Sequence, residues 1–524
     1  MIRELDADVA IIGAGFGGSL TALICKRIGL RPVLIERGTH PRFAIGESST
    51  PIADLVLRSL AEKYDLPRLT PLTRYGSWRR TYPDVACGLK RGFSYFHHRA
   101  GEPFIPQDDH SNELLVAANP DKEHGDTHWY RADVDHFFVR EVQAAGIPYF
   151  DRTEIETIED GQRWRLAARR DREAILVAAP FVVDASGQAS VMSWALGIRH
   201  SAAELKTNSR TIYAHFRGVR PWHDVYVELG GNTEDHPFPC DAGALHHVFD
   251  GGWMFVLRFD NGVTSAGFVL DRNSPEFGTG GGLPRQDAHG RLGGLSLSPA
   301  DEWAVLLRRF PSIAQQFDEA RVVEPLRRTD RLQRIASRIA GPTWAMLPHT
   351  AYFLDPLHSA GNAHTLSGIE RLTAILADSR DPVDRGRRLA EYEKTMRREV
   401  TLMDSLIHGC YTGFARFELM TSFSMLYFTA ATFSEHRRRT GQHGPDNAFL
   451  NADNPGLSEA VATAYAAVQA LAGRAELGPR AASDYHREVA DLVAPYNIAG
   501  LCDPAKRNMY PYLEASPNCQ QTAR

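Results

Sequence analysis

The chain has 524 residues, a formal net charge of -5, and 43% apolar against 23% charged side chains. This is the make-up of an ordinary globular protein of two or three domains, and the acidic balance excludes nucleic acid as a default partner. The six cysteines (Cys25, Cys87, Cys240, Cys410, Cys502, Cys519) lie far apart with no CxxC pair. Neither a disulfide framework nor a zinc site is indicated, and free thiols in a reducing cytoplasm are expected. The N-terminus carries no basic n-region or cleavage site, so no signal peptide is expected. The longest apolar run, Leu419 to Phe433, is interrupted by Thr421, Ser422, Ser424 and Thr429. It is shorter than a bilayer span and predicts a buried or substrate-facing helix.

In chain order, Asp8 to Gly38 reads as strand, glycine turn, helix and second strand. The apolar Val9, Ile11 and Ile12 run straight into Gly13, Gly15 and Gly18 at the GxGxxG spacing. The first glycine permits the turn, the second lets the backbone approach a pyrophosphate, and the third lets the helix sit close on the strand. Glu36, at the end of the second strand, is placed to accept hydrogen bonds from ribose hydroxyls, which favours FAD or NAD over NADP.

His40 to Ile45 predicts a loop, and Gly46, Glu47 and Ser48 are expected to open a helix through Ile52, Leu55, Leu57 and Leu60, beside the dinucleotide. Gly88 to His98 predicts one antiparallel strand in a second layer. Asp133 to Ala145 predicts a helix capped by its aspartate, with Arg131 near the cofactor. Alternating segments between Tyr149 and Val177 predict a small sheet, and Pro180 to Gly187 a buried strand ending in Asp184 and a turn at Gly187. Ser209 to Asp271 is strand-rich and predicts one broad mixed or antiparallel sheet. The glycine-rich Gly278 to Gly294 reads as a mobile surface loop. Ala345 to Asp355 holds a last strand, and beyond about Pro382 the pattern is helical. The adjacent pairs His97-His98 and His246-His247 do not make a metal site, because neighbouring strand residues face opposite ways and no other ligands accompany them.

Assembled in order, GAGFGG, HPRFAIGES, VVDASG, GGWMFVLRF and LDPLHSAG resemble the flavin-dependent halogenases. These are a branch of the FAD monooxygenases, and the likeness is greatest to members that chlorinate phenolic polyketides such as tetracyclines. The resemblance implies an α/β fold: a Rossmann-like FAD-binding domain of the p-hydroxybenzoate-hydroxylase type, a mixed or antiparallel substrate sheet and a helical C-terminal region. On this reading residues 1–381 hold the FAD segments (about 1–60, 150–200 and 340–381) and the sheet segments (about 85–130 and 205–335), and residues 382–524 the helical region.

The resemblance also implies a chemistry. Reduced FAD, supplied by a separate flavin reductase, forms a hydroperoxide with oxygen; halide attacks it; and a lysine carries the resulting hypohalous acid to an electron-rich carbon of a small aromatic substrate. Lys90, in GLKRGFSYFHHRAGE, matches that lysine. Gly46, Glu47 and Ser48 match a cofactor-side motif, Asp184 the second FAD motif, and Asp355, Pro356, Ser359 and Gly361 the third, which also lies by the halide. The family's W-x-W-x-I-P motif is reduced to Trp253 and Phe255 with Arg258 for the proline, so the wall between substrate and flavin is looser and hydroxylation is the alternative reaction. A flavin-binding protein without turnover is the third reading. His358 stands where tryptophan halogenases have a glutamate; this points away from tryptophan and makes His358 a candidate base for phenol chemistry.

Overall fold

In the computed structural model, which describes residues 2–277, 285–286, 292–293, 297–379, 381–442, 444 and 447–513, Val9–Ile12 (β1) is buried along its whole length. A strand apolar on both faces belongs inside a parallel sheet. β1 lies between Pro32–Ile35 (β2) and Phe181–Asp184 (β6), and the helix Phe16–Arg27 (α1) makes the crossover from β1 to β2. Trp344–Met346 (β11) pairs parallel to β6, so this six-stranded sheet collects strands from the start, middle and late parts of the chain. A four-stranded sheet over Ile2–Asp6 and residues 153–179 packs beside it, as the alternating pattern there predicts.

The second layer is a nine-stranded mixed sheet. At its centre run Ser209–Arg217 (β7), Thr264–Asp271 (β10), Gly252–Arg258 (β9), Ala244–Phe249 (β8) and Gly92–His97 (β4), neighbours in that order. Period-two alternation divides its side chains between two cores. Phe93, Tyr95 and Trp253 join the nucleotide-side core, whereas Phe96, Met254 and Phe268 face a separate core with Trp222 and Trp303.

The C-terminal helices Pro382–Gly413 (α5), Phe417–Arg439 (α6), Pro455–Ala472 (α7) and Pro479–Val493 (α8) contribute Met396, Leu426, Val461 and Tyr485 to the same core as β1. Met509–Tyr510 returns to the edge of the large sheet. The run Leu419 to Phe433 lies inside α6, and no described helix is long and apolar enough to cross a membrane. Gly278 to Gly294 and Cys519 fall almost wholly outside the described residues; the other five cysteines are free and buried.

Four local expectations need correction. Gly88 to His98 is two strands, Cys87–Lys90 (β3) and β4, in different sheets. Between them the Arg91 N–H donates to Ala242 O and its guanidinium to Pro120 O, and this breaks the strand. Gly46, Glu47 and Ser48 do not open the helix, which runs Pro51–Lys63 (α2). Thr50, held extended before proline, sets that boundary, and Glu47 to Ser49 instead bond to Asp126–Trp129 (β5). Asp133 does not cap the helix Arg131–Ala144 (α3); its carboxylate accepts the Ala86 N–H. Between β11 and Asp355 a helical turn at Pro348–Ala351 interrupts what the sequence presents as one strand.

Candidate functional site

The glycine turn has the geometry a dinucleotide needs. Gly13 takes φ +98°, and a Cβ on Gly18 would meet Gly13 O at 1.9 Å. Gly18→Ala should therefore push α1 off β1 and weaken FAD binding at least about tenfold, read by titrating the apoprotein and following flavin fluorescence. α1 begins after Gly15 with no side-chain cap, leaving its first-turn amides and positive dipole end for an anion. Glu36 Oε2 accepts the Ala14 N–H at 2.9 Å and Oε1 the Gly38 N–H at 2.7 Å. Burial works against its charge, but those amides and Arg42 prevail and hold the carboxyl below its usual value.

Arg131 opens α3 and ties three segments together. Its guanidinium makes a two-pronged pair with Asp135 (3.0 Å each) and donates to Ile45 O and Gly46 O, while Asp135 also accepts the Phe16 N–H. The glycine turn and the Gly46-Glu47-Ser48 segment are thereby fixed against each other. Glu47 is buried and bonds His215 on β7 at 2.7 Å. Asp184 spends its oxygens on its own turn, accepting from Ser186 and Met192, and Gly187 N–H donates to Thr350.

Lys90 is the last residue of β3 and is fully buried. Its Nζ donates to Ser48 Oγ at 2.9 Å and to Ser49 O at 2.7 Å, and sits 4.0 Å from the centre of the Phe93 ring. Burial pushes the ammonium down to about 7, against the opposing pull of Asp126 and Asp54. From Phe93 the aromatic surface continues through Tyr95 and His246, stacked at 4.4 Å, to Trp253 at 5.2 Å.

The Trp253 indole N–H donates to Tyr411 OH, and that hydroxyl donates to Asp355 Oδ2 at 2.7 Å. Asp355 also accepts from Ser209 Oγ and Leu357 N–H; burial raises it to about 6. Phe255, two residues beyond Trp253 on the same face of β9, is half-buried with its ring 6.1 Å away. Ser359 N–H donates to Pro356 O, and Ser359 takes φ +52° before Ala360–Asp378 (α4), whose first turn, including Gly361, also lacks a side-chain cap. His358 stacks on Tyr427 at 4.1 Å, and its Nδ1 has no partner. Burial pushes it down to about 3, so it is a neutral ring at working pH.

No protein-family model matches the chain. Among curated proteins it is 29% identical over 444 residues to monodechloroaminopyrrolnitrin halogenase PrnC of Pseudomonas fluorescens, covering 82% of this chain and 72% of that one. It is 30% identical over 471 residues to tetracycline 7-halogenase of Kitasatospora aureofaciens, covering 86% of this chain and 79% of that one. It belongs to the flavin-dependent halogenases. Solved structures agree on the fold: halogenase PltM in complex with phloroglucinol and FAD superposes with a TM-score of 0.82 at 22% identity, over 96% of this halogenase and 99% of that chain. This halogenase is therefore an FAD-dependent oxidoreductase that uses a halide.

Its residues fit the cofactor: the uncapped α1 turn and the close Gly13–Gly18 approach suit a pyrophosphate, and ionised Glu36 suits ribose hydroxyls. The sequence-expected residues divide into three groups. Gly13, Gly15, Gly18, Glu36, Gly46 and Arg131 cluster at the glycine turn, Ser48 joins Lys90, and Trp253 joins Asp355 through Tyr411.

Sequence reasoning missed Asp54, Asp126, Tyr411 and Tyr427. Asp54 left one signal, a lone carboxylate on the apolar stripe of α2 beside Ala53, Val56 and Leu57. The histidines of the two HH pairs part as the alternation requires: His97 bonds Phe414 O, while His98 bonds His247. Among the described residues His110, Glu113 and His236 also approach one another, and Glu113 there bonds His110 and accepts from Tyr226 OH.

Proposed function

We propose that this halogenase installs chloride or bromide on a small phenolic aromatic molecule, with Lys90 as the halogen carrier. The observation that carries this reading is the Lys90 amine, buried on the Phe93 ring and held by Ser48 and Ser49 of the cofactor-side segment. The relatives' names support the substrate class: one is a tetracycline halogenase, and PltM was crystallised with phloroglucinol, a phenol. Reduced FAD, delivered by a separate flavin reductase, supplies with oxygen and halide the electrophilic halogen.

This chain's residues do the rest. Gly13, Gly15, Gly18 and Glu36 hold the dinucleotide, Arg131 locks Gly46 against it, and Asp355 with Pro356 and Gly361 orients the ribityl and ring end. Asp184 and Gly187 shape the neighbouring turn, and Glu47 fixes the motif through His215. The amides of the α4 first turn, beside Ser359, suit the halide. Trp253 and Phe255, paired ring to ring, stand as the wall between substrate and flavin.

At Lys90, the neutral amine takes the halogen from hypohalous acid, and an N–H proton leaves with the hydroxide as water. The aromatic carbon then takes the halogen, and its displaced proton returns to Nζ. His358 offers its free Nδ1 to the phenol, and its low basicity suits orienting that hydroxyl. Because the amine must be neutral, halogen transfer should rise with pH through about 7, seen as product formed per turnover across a pH series. The free buried thiols suit a cytoplasmic protein.

The test is product mass spectrometry with purified protein, FAD, a flavin reductase, NADH, oxygen and bromide over a panel of phenols. A bromine isotope pattern is expected. Gain of one oxygen without halogen would overturn the reading in favour of a hydroxylase.

A further inference from the structure

On the face of the large sheet turned away from Phe93, three side chains with metal-binding atoms converge. Glu113 opens the strand Glu113–Ala117 and stands opposite Phe96 of β4, so the two share a face, and Phe96 belongs to the second core. His110 lies three residues before it, and His236 in the loop after the helix Trp222–Glu228. One ligand atom from each of the three lies within 4.8 Å of the other two. All three are withdrawn from solvent: the side chains of His110, Glu113 and His236 are 5%, 0% and 2% exposed.

Bonds inside the cluster do not use up its polar atoms. His110 Nδ1 bonds Glu113 Oε1 at 2.5 Å, and Tyr226 OH donates to that same oxygen at 2.9 Å. Glu113 Oε2 stands 3.4 Å from His236 Nε2, yet among the described residues neither that oxygen nor either ring nitrogen of His236 has a hydrogen-bond partner. A buried carboxylate oxygen and a buried imidazole nitrogen facing each other without a hydrogen bond are costly unless something between them binds both. Donor atoms on one zinc ion, each about 2.0–2.2 Å from it, stand about 3–3.5 Å apart, and the separation of Oε2 from Nε2 falls in that range.

The surroundings are those of metal ligands. With His110 ligating through Nδ1, its Nε2–H donates to Asp235 Oδ2, 3.4 Å away, and Arg507 anchors that carboxylate at 2.7 Å. A carboxylate behind a ligating histidine fixes its ring and its tautomer, and Tyr226 orients the Glu113 carboxylate in the same way.

We propose that His110, Glu113 and His236 form a zinc(II) site that fastens the edge of the large sheet. Two imidazole nitrogens and one carboxylate oxygen are a donor set that zinc takes, with a fourth position left to solvent. The ion joins the strand Glu113–Ala117 to the loop that precedes β8 and, through Asp235 and Arg507, to the start of the returning strand Met509–Tyr510. Asn508, next to Arg507, adds a bond to His110 O at 3.0 Å. This site goes beyond the halogenation reading and does not depend on it.

The experiment strips the purified protein with a chelator, dialyses it, and titrates it with zinc(II) in competition with a chromophoric chelator. His236→Phe, which keeps a ring packed on Tyr226, and Glu113→Gln test the ligands, and His124→Gln, at an exposed histidine, is the control. The parent should bind one zinc ion per chain with a Kd of about 1 µM or tighter, each ligand variant should bind at least about a hundredfold more weakly, and the control should match the parent. Zinc at about a thousandfold its Kd should raise the thermal midpoint of the parent by about 3–4 °C and leave those of the ligand variants in place. A parent that takes up no stoichiometric zinc, or binding that both ligand variants keep, overturns the proposal.

Should the variants fail to fold, anomalous diffraction from crystals of the zinc-loaded parent decides the matter. A peak among His110, Glu113 and His236 is expected; no peak there overturns the site. Bromination per turnover, well below the thermal midpoint, should be equal in stripped and loaded protein, since the site lies across the sheet from Phe93 and Lys90. Bromination that requires the ion would overturn its structural role.

Discussion

Replacing Lys90 by alanine is expected to stop halogen transfer while leaving FAD binding and flavin reoxidation close to those of the parent. The amine is the fully buried base on the aromatic surface that leads from Phe93 to Trp253, and its two donated hydrogen bonds aim it at Ser48 and Ser49. Groups that hold and move protons or halogens at a reacting atom typically contribute about 10²–10⁴-fold, so halogenated product should fall by at least about a hundredfold. Lys90→Met separates chemistry from packing, because it keeps most of the stem in contact with Phe93. Both variants should lose product alike, with flavin reoxidation, followed by absorbance, continuing. Bromination that survives in either would sink the assignment.

The second large effect is on stability, at the junction of α4 with the C-terminal helices. Glu399, on α5, has no exposed side chain; it accepts from Arg371 Nη2 at 2.7 Å and Phe449 N–H at 2.7 Å, and bonds His364 at 2.6 Å. Burial raises the cost of its charge, yet Arg371 and His364 outweigh that and hold it at about 2. Arg371→Met leaves a buried carboxylate with its main partner gone and should cost about 3–5 kcal/mol. That lowers the thermal midpoint of a chain this size by about 4 °C.

Glu399→Gln should also destabilise, and the double variant should cost less than the sum, because the second change removes the charge the first one stranded. The pH dependence follows from a folded value below the unfolded one of about 4.3. The carboxylate's contribution, about 3 kcal/mol, is complete above about pH 4.3 and is lost as pH falls through about 2. Glu399→Gln should lack that acid-side loss in urea unfolding followed against pH. An identical acid limb in both proteins would show that Glu399 is not the group titrating.

Legibility differed from place to place along the chain. The glycine turn was readable because its constraints are local: Gly13, Gly15 and Gly18 lie within one turn, and the strands on either side are continuous apolar runs. The large sheet was readable for the same reason, since alternation in β7 to β10 states which residues share a face. The helix start at Pro51 is not legible locally because the residues before it are held by β5, about 80 positions away, and no local propensity records that bond. The strand break at Arg91 has a comparable cause, a hydrogen bond to the distant Ala242.

The site itself shows the same division. Lys90 and Ser48 came from motif likeness, but their contact, across 42 positions of chain, appears only when Glu47 to Ser49 lies down beside β5. Asp54 and Asp126 left almost no trace, since a single carboxylate in an apolar pattern looks the same whether it faces solvent or lies buried. By itself the sequence determined the dinucleotide turn, the alternation of the substrate sheet, the helical C-terminal region and the lysine that matches the family's carrier. These follow from periodicity and short motifs, in which neighbouring residues constrain one another. Only the tertiary structure decided which carboxyls are buried near that lysine, how far its charge is suppressed, and that the C-terminal helices share one core with the nucleotide sheet. Desolvation and charge pairing depend on what surrounds an atom in space, and the groups that surround Lys90 come from separate strands and helices of the chain.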